Sequence, residues 1–191
     1  MSTKNKNTLS IVLPVYNEEE ILEISIDRIL KLKQKIKDKV NTEVMFVNDG
    51  SNDNSLNILK KYIDCVKIIS FTRNFGHQMA ITAGIDYAMG EYICIIDADL
   101  QDPPELIEEM YDLCNNEGYD FVYGVRKERK GETFFKKASA GLFYKIMKMM
   151  SDTNINLNSG DFAVLSKRTA SEFSKLREKN RFIRGMIPWL G

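Results

Sequence analysis

The sequence predicts an α/β fold, a mostly parallel central sheet covered by helices on both faces. Three observations carry that prediction. Short apolar runs alternate with helical patterns through the first two-thirds of the 191 residues. The runs are almost continuously apolar, as in strands buried on both sides. Polar residues then cluster where the runs stop, and sheets of this kind bind their ligands beyond the carboxyl ends of the strands.

Taken in order, "LSIVLPV" (9–15) reads as the first strand. Asn17 reads as the cap of a helix from Glu18 to about Lys33, in which Ile21, Leu22, Ile26, Ile29 and Leu30 recur at helical spacing. "EVMFV" (43–47) is a second strand, followed by "NDGSNDNS", a loop dense in turn and cap residues, where Asp53 and Ser55 read as loop and cap positions. A helix near Ser55–Tyr62 leads to a third strand, "VKIISF" (66–71). Gly76 to Met89 reads as a helix terminated by Gly90, and "EYICII" (91–96) as the fourth strand. Pro104 opens a helix at its favoured first turn, and "FVYG" (121–124) is the fifth strand. Beyond residue 125 come a basic loop, an amphipathic helix from about Thr133 to Met150, a strand "DFAVLS" (161–166) and a helix near Arg168–Arg177.

Composition fits a globular protein rather than a disordered or fibrous one, with 43% hydrophobic and 28% charged residues. The length suits one domain over 1–191, divided into a half at about 9–125 that gathers the strand-end polar groups and a half at about 126–191. No run approaches the roughly 18 apolar residues of a membrane span, and "MSTKNKNTLS" has no apolar signal region. Cys65, Cys94 and Cys114 are odd in number and lack CxxC spacing, so reduced thiols on the cytosolic side are expected. The only histidine is His77, which leaves little for a Cys/His metal site or a Ser-His-Asp hydrolase; it reads as a structural or helix-start residue.

Net charge is zero but unevenly placed. Residues 91–120 hold ten acids and no Lys or Arg, whereas 126–148 hold eight bases against Glu128 and Glu132. That order suits a ligand bringing both a metal ion and phosphates; solvated helix faces account for many of the charges. They do not account for "YICIIDADLQDPPE" (92–105), in which Asp97, Asp99 and Asp102 crowd together after an apolar run. Like charges so placed repel unless a cation sits among them. Two aspartates one residue apart at a strand end can face one Mg²⁺ or Mn²⁺, which would bridge them to substrate phosphates. The other strand ends carry Tyr16-Asn17-Glu18, Asp49 and Arg73-Asn74, so four segments converge on one edge. Neither GxxxxGK[ST] nor GxGxxG is present, nor GxSxG or HExxH.

"LPVYNEEE" (13–20), "VNDGSNDNS" (47–55), "FTRNFGHQMAITAG" (71–84), "DADLQDPPE" (97–105), "GVRKERKGE" (124–132) and "SGDFAVLSKR" (159–168) together resemble family 2 glycosyltransferases of the GT-A fold. Within that family the chain is similar to the polyprenyl-phosphate glycosyltransferases, of the dolichol-phosphate mannose synthase and bactoprenol glucosyltransferase type. The resemblance implies that Pro14, Tyr16, Glu18, Asp49, Arg73 and Asp97 hold a nucleotide sugar. It implies that Asp97 and Asp99, with Gln101, bind the metal. Arg126, Arg129, Lys137, Arg181 and Arg184 become candidates for acceptor or leaving-group phosphates, since guanidinium forks match phosphate oxygens. Asp161 of "GDF" becomes the catalytic aspartate beside Asp99. Two departures stand out: Ala163 follows "GDF" where the subgroup often has Arg, and the sequence ends at "IPWLG" where many relatives continue into membrane helices.

The implied reaction is inverting transfer from a UDP- or GDP-sugar to a polyprenyl phosphate, by a cytoplasmic protein peripheral to or anchored at the cytoplasmic membrane face. The helix "TFFKKASAGLFYKIMKMM" has the composition of a membrane-surface helix and equally of a core helix with a basic face. No nucleic-acid partner is expected, and homo-oligomerisation is left open. The alternatives are a family 2 transferase acting on a saccharide hydroxyl, for which Asp161 must be a general base, and a catalytically silent nucleotide-sugar-binding protein. A sugar nucleotidyltransferase would instead carry a Gly-rich basic loop after the first strand, where this chain has "LPVYNEEE".

Overall fold

The computed structural model describes residues 6–125, 159–176, 178 and 181–190. In chain order the elements are β1 (Thr8–Val15), α1 (Leu22–Ile36), β2 (Asn41–Asn48), α2 (Ser55–Lys60), β3 (Lys67–Ser70), α3 (His77–Tyr87) and β4 (Tyr92–Ile95). A 3₁₀ turn at Pro104–Leu106 leads into α4 (Ile107–Glu117), followed by β5 (Phe121–Val125), β6 (Ser159–Ser166), α5 (Lys167–Lys175) and α6 (Ile183–Trp189).

The six strands lie in the order β3-β2-β1-β4-β6-β5. The first four run parallel, while β6 inserts antiparallel between β4 and β5. Strand alternation divides the core into two layers. Leu9, Ile11, Leu13, Phe46, Cys94 and Val164 face α1, α2 and α4; Val12, Met45, Val47, Ile95 and Leu165 face α3, α5 and α6. Burying each such Leu, Ile or Val side chain is worth roughly 1.5–3 kcal/mol, and the apolar stripe of α1 (Leu22, Ile26, Ile29, Leu32, Ile36) contributes five of them. The helix α3 lies so close to β1 that a Cβ on Gly84 would meet Val12 Cγ1 at 2.1 Å.

The expected sheet with helices on both faces is therefore present, with an antiparallel insertion. The connection from β1 leaves toward β2 and that from β3 returns to β4 on the other side of β1. The strand order thus reverses between β1 and β4, and their carboxyl ends splay apart there, which is where open α/β sheets hold ligands.

The start of α1 differs from expectation. Asn17 has φ 55° and does not cap it; the helix begins at Leu22. The Asn17 side chain instead accepts the Asn52 N–H at 2.8 Å. Around it the segment after β1 and the loop after β2 are joined: Ser51 Oγ, Ser55 Oγ and Asp53 Oδ2 accept the N–H groups of Asn17, Glu18 and Glu19, each at 3.0 Å. Long-range bonds satisfied donors that a helical turn would otherwise have used, so Asp53 and Ser55 serve the loop, as expected. Further along the chain, α3 stops at Tyr87, before Gly90. Gly90 packs on the β1 backbone, where a Cβ would meet Thr8 O at 2.6 Å.

Candidate functional site

A cavity of about 300 Å³ opens at the β1–β4 switch point. Its wall comes from Pro14 near the end of β1, Tyr16 and Glu18 after it, Asp49 after β2, Asn74 and His77 around the start of α3, and Asp97 and Asp99 after β4. Six of the residues expected at the site are thus brought together: Pro14, Tyr16, Glu18, Asp49, Asp97 and Asp99. Arg73 is adjacent but outside the wall, exposed, with its guanidinium 4.1 Å over the Phe75 ring. Gln101 is also exposed; its N–H donates to Asp99 Oδ1 at 3.0 Å, which fixes one aspartate oxygen through the turn. Leu100, at φ 59°, makes that turn. Arg126, Arg129 and Lys137, together with the basic helix, lie outside the described residues.

Asp49 is 2% exposed and holds the neighbouring loop. Its Oδ1 accepts the Phe75 N–H at 2.7 Å and its Oδ2 accepts the Gly76 N–H at 2.9 Å. Gly50 beside it has φ 63° and allows the Arg73 backbone to pass; a Cβ there would meet Arg73 C at 2.2 Å. These contacts deliver the first residue of α3, His77, to the cavity wall.

Asp161 stands behind His77, its side chain 1% exposed. Its Oδ1 accepts Arg184 Nε at 2.8 Å, and its Oδ2 accepts Arg184 Nη2 at 3.2 Å and pairs with His77 Nε2 at 3.0 Å. Arg184 on α6 closes on Asp161. Arg181 does not. It bonds Thr82 Oγ1 at 3.1 Å and Leu176 O, over the Phe173 ring, and so fastens the chain before α6 to α3. Ala163 is buried against the α3 and α5 layer, so the position after "GDF" offers no acceptor contact.

Electrostatics separate these acids. Burial pushes the Asp97 carboxyl up; His77 partly opposes this, while Asp161, Asp99 and Asp102 add to it. Glu18 is raised too, by burial and then by Asp99, Asp53 and Asp97. Asp161 goes the other way: burial would raise it, but its bonds to His77 and Arg184 win and hold it at about 2. The bond to Asp161 raises His77, against the effect of burial. Among the described residues, Asp97 and Glu18 thus share a locus short of positive charge, whereas Asp161 already has its counter-ion.

A divalent cation fits that locus. Asp97 Oδ1 is buried with no hydrogen-bond partner among the described residues, an arrangement that costs about 1–3 kcal/mol unless something else satisfies it. No three His, Cys, Asp or Glu side chains among the described residues converge to hold a metal by themselves. An ion there would be held by one or two carboxylates and completed by water and ligand phosphates.

His77 is the residue sequence reasoning passed over. Its partner Asp161 lies 84 positions away, so no local pattern marked it. The available signal was its place at the start of a helix following a strand end, beside Asn74.

Comparison with known proteins places this arrangement. "Uncharacterized glycosyltransferase YkcC" of Bacillus subtilis is 51% identical over 185 residues, covering 95% of this chain and 56% of its own. "Prophage bactoprenol glucosyl transferase homolog" of Escherichia coli is 36% identical over 186 residues, covering 96% and 60%. The chain therefore spans between half and two-thirds of these relatives' length. Among solved structures, the mannosyltransferase PcManGT from Pyrobaculum calidifontis, in complex with GDP-Man and Mn²⁺, superposes with a TM-score of 0.63 at 17% identity, covering 89% of this chain and 47% of that one. S. aureus TarS 1–349 in complex with UDP-GlcNAc superposes with a TM-score of 0.65 at 16% identity, covering 96% and 52%. These superpositions identify the fold as GT-A. The sequence model of "Glycosyl transferase family 2" matches residues 10–173, so the strands and site described above are those of a chain that belongs to glycosyl transferase family 2.

Proposed function

We propose that this chain transfers a sugar, with inversion, from a UDP- or GDP-sugar to a polyprenyl phosphate at the cytoplasmic face of the membrane. The observation that carries the choice of acceptor is the state of Asp161. Both its oxygens are bonded, Arg184 pairs with it bidentately, and its carboxyl is held at about 2. A general base works best with a pKa near the operating pH, so Asp161 is badly placed to deprotonate a sugar hydroxyl. A phosphate monoester, with a second pKa near 6, is already a nucleophile at pH 7. Relatives named bactoprenol glucosyl transferase point the same way.

In this reading Pro14, Tyr16, Glu18 and Asp49 line the nucleoside part of the cleft, and Arg73 reaches it from the rim. Asp97 and Asp99, with Gln101 supporting Asp99 through its backbone, would hold Mg²⁺ or Mn²⁺. Bound there, the cation supplies charge stabilisation to the departing nucleoside diphosphate. The acceptor phosphate oxygen forms its bond to the anomeric carbon from the opposite face as the bond to the diphosphate breaks, so no protein group has to remove a proton. Asp161 and Arg184 orient the incoming side, and Arg126, Arg129 and Lys137 are proposed to hold acceptor phosphate.

The test is release of nucleoside diphosphate from a panel of UDP- and GDP-sugars with Mg²⁺ or Mn²⁺, with and without a short-chain polyprenyl phosphate, using Asp99→Asn as control. Release that requires both the lipid phosphate and Asp99 is expected. Release driven equally well by an oligosaccharide lacking phosphate would overturn the acceptor assignment, and nucleotide binding without release under any condition would indicate a silent binding protein.

A further inference from the structure

We infer that His77 is a positioning residue, whose ring holds the Asp161 carboxylate in place relative to Asp97 across the floor of the cleft. The inference rests on the reading above, in which Asp97 serves the donor side and Asp161 the acceptor side. His77 Nε2 lies 3.0 Å from Asp161 Oδ2 and 3.5 Å from Asp97 Oδ1, the oxygen that has no hydrogen-bond partner among the described residues. The ring is 43% exposed and faces the cavity, whereas the Asp161 side chain is 1% exposed behind it.

Charge balance does not require this histidine, since Arg184 alone gives Asp161 a bidentate partner at 2.8 and 3.2 Å. What His77 adds is direction. Two N–H groups of the Arg184 guanidinium hold the carboxylate from α6, and a third contact, from His77 at the start of α3, ties it to the ring that also approaches Asp97. The position of the ring is itself over-determined: Asp49 takes the N–H groups of Phe75 and Gly76, and Gly76 turns the chain at φ 101° into α3. Displacing a reacting group by about 1 Å can cost about 100-fold in rate. A ring that spaces two functional carboxylates is therefore a rate determinant without touching the sugar.

The chain contains one histidine, so imidazole ¹⁵N spectra of the labelled protein report this residue alone. Asp161→Asn is expected to shift the Nε2 resonance, and Mn²⁺ with UDP or GDP to broaden it beyond detection while Mg²⁺ with the same nucleotide leaves it visible. An Nε2 resonance unmoved by Asp161→Asn, or unbroadened by bound Mn²⁺–nucleotide, would overturn the inference. In turnover, His77→Ala is expected to lower kcat about 10- to 100-fold with donor KM and Mn²⁺–nucleotide affinity within about twofold, and His77→Gln, which keeps a donor, to recover most of the loss. In an Asp161→Asn background the same His77→Ala change should cost less than about threefold, because the two residues act as a unit. Losses that simply multiply, or a fall in nucleotide affinity matching the fall in kcat, would instead mark a general structural role. If the wild type transfers sugar to no acceptor tested, the functional reading fails, while the spectra still decide the placement of His77.

Discussion

Glu43, near the amino end of the sheet, and Asp97, at its carboxyl end, are both largely withdrawn from water, with side chains 11% and 27% exposed. Their surroundings are opposite. Glu43 receives Lys67 Nζ, the Ser10 hydroxyl and the Met89 N–H, and these bonds outweigh burial, so its carboxyl is lowered. Ser10 in turn accepts the Gly90 N–H at 2.9 Å, closing the network. Asp97 keeps one buried oxygen with no hydrogen-bond partner among the described residues, 3.5 Å from His77 Nε2, and is raised. The same sheet therefore neutralises its structural carboxylate internally and leaves less well neutralised the one proposed to hold a cation. Stability and activity should consequently separate when the two are changed.

The largest expected effect is on activity. Asp97→Asn removes a proposed metal ligand and should lower turnover by about 100-fold or more, since several kcal/mol of charge stabilisation are at stake. It should leave the urea midpoint unchanged or raise it, because the substitution relieves like-charge crowding with Asp99 and Asp161. A clear loss of stability would break the contrast drawn above. Next comes Glu43→Ala, expected to cost about 2 kcal/mol in urea unfolding by stranding Lys67, Ser10 and the Met89 N–H, with kcat unchanged.

Acid sharpens the contrast between Asp161 and Asp97. The Asp161 carboxyl sits at about 2 in the folded protein against about 3.9 in an unfolded chain. The unfolded state takes up the proton first, so the stability Asp161 contributes is present above about pH 4 and lost as pH falls toward 2. Asp97 is raised, so its protonation on acidification favours the folded state instead. Urea midpoints measured from pH 5 to 2 should therefore fall less steeply in Asp161→Asn than in the wild type, and more steeply in Asp97→Asn. The smallest effect belongs to Arg28→Ala, which breaks an ion pair with Glu105 that is 34% and 60% exposed and should cost less than about 0.5 kcal/mol.

Much of the donor side was legible because strands and strand ends are local. Apolar runs marked β1 to β4, and "DADLQDPPE" after one of them marked the acidic locus. What was not legible depended on distant partners. Asn17 has every property of a helix cap, yet Asn52 and Ser51 claimed it for a loop. Asp49 reads as a ligand residue, and its two hydrogen bonds to the chain before α3 appear only in the fold. His77 reads as incidental until β6 brings Asp161 beside it. Nothing in the sequence of β5 or β6 announces that the second inserts between the first and β4, because pairing order is set by which faces the helices can cover rather than by composition.

That insertion has an evolutionary consequence. Val125, the last residue of β5, is paired with Ser159, the first of β6, so the interval 126–158 departs from and returns to one hydrogen-bonded position on the sheet. Closing a connection between neighbours depends only weakly on its length, about 0.6 kcal/mol for each doubling. A lineage could therefore lengthen, shorten or exchange that interval while β1 to β4, and the nucleotide cleft they build, stay as they are. New sequence would then be tried at one address of a scaffold whose cleft is already in place.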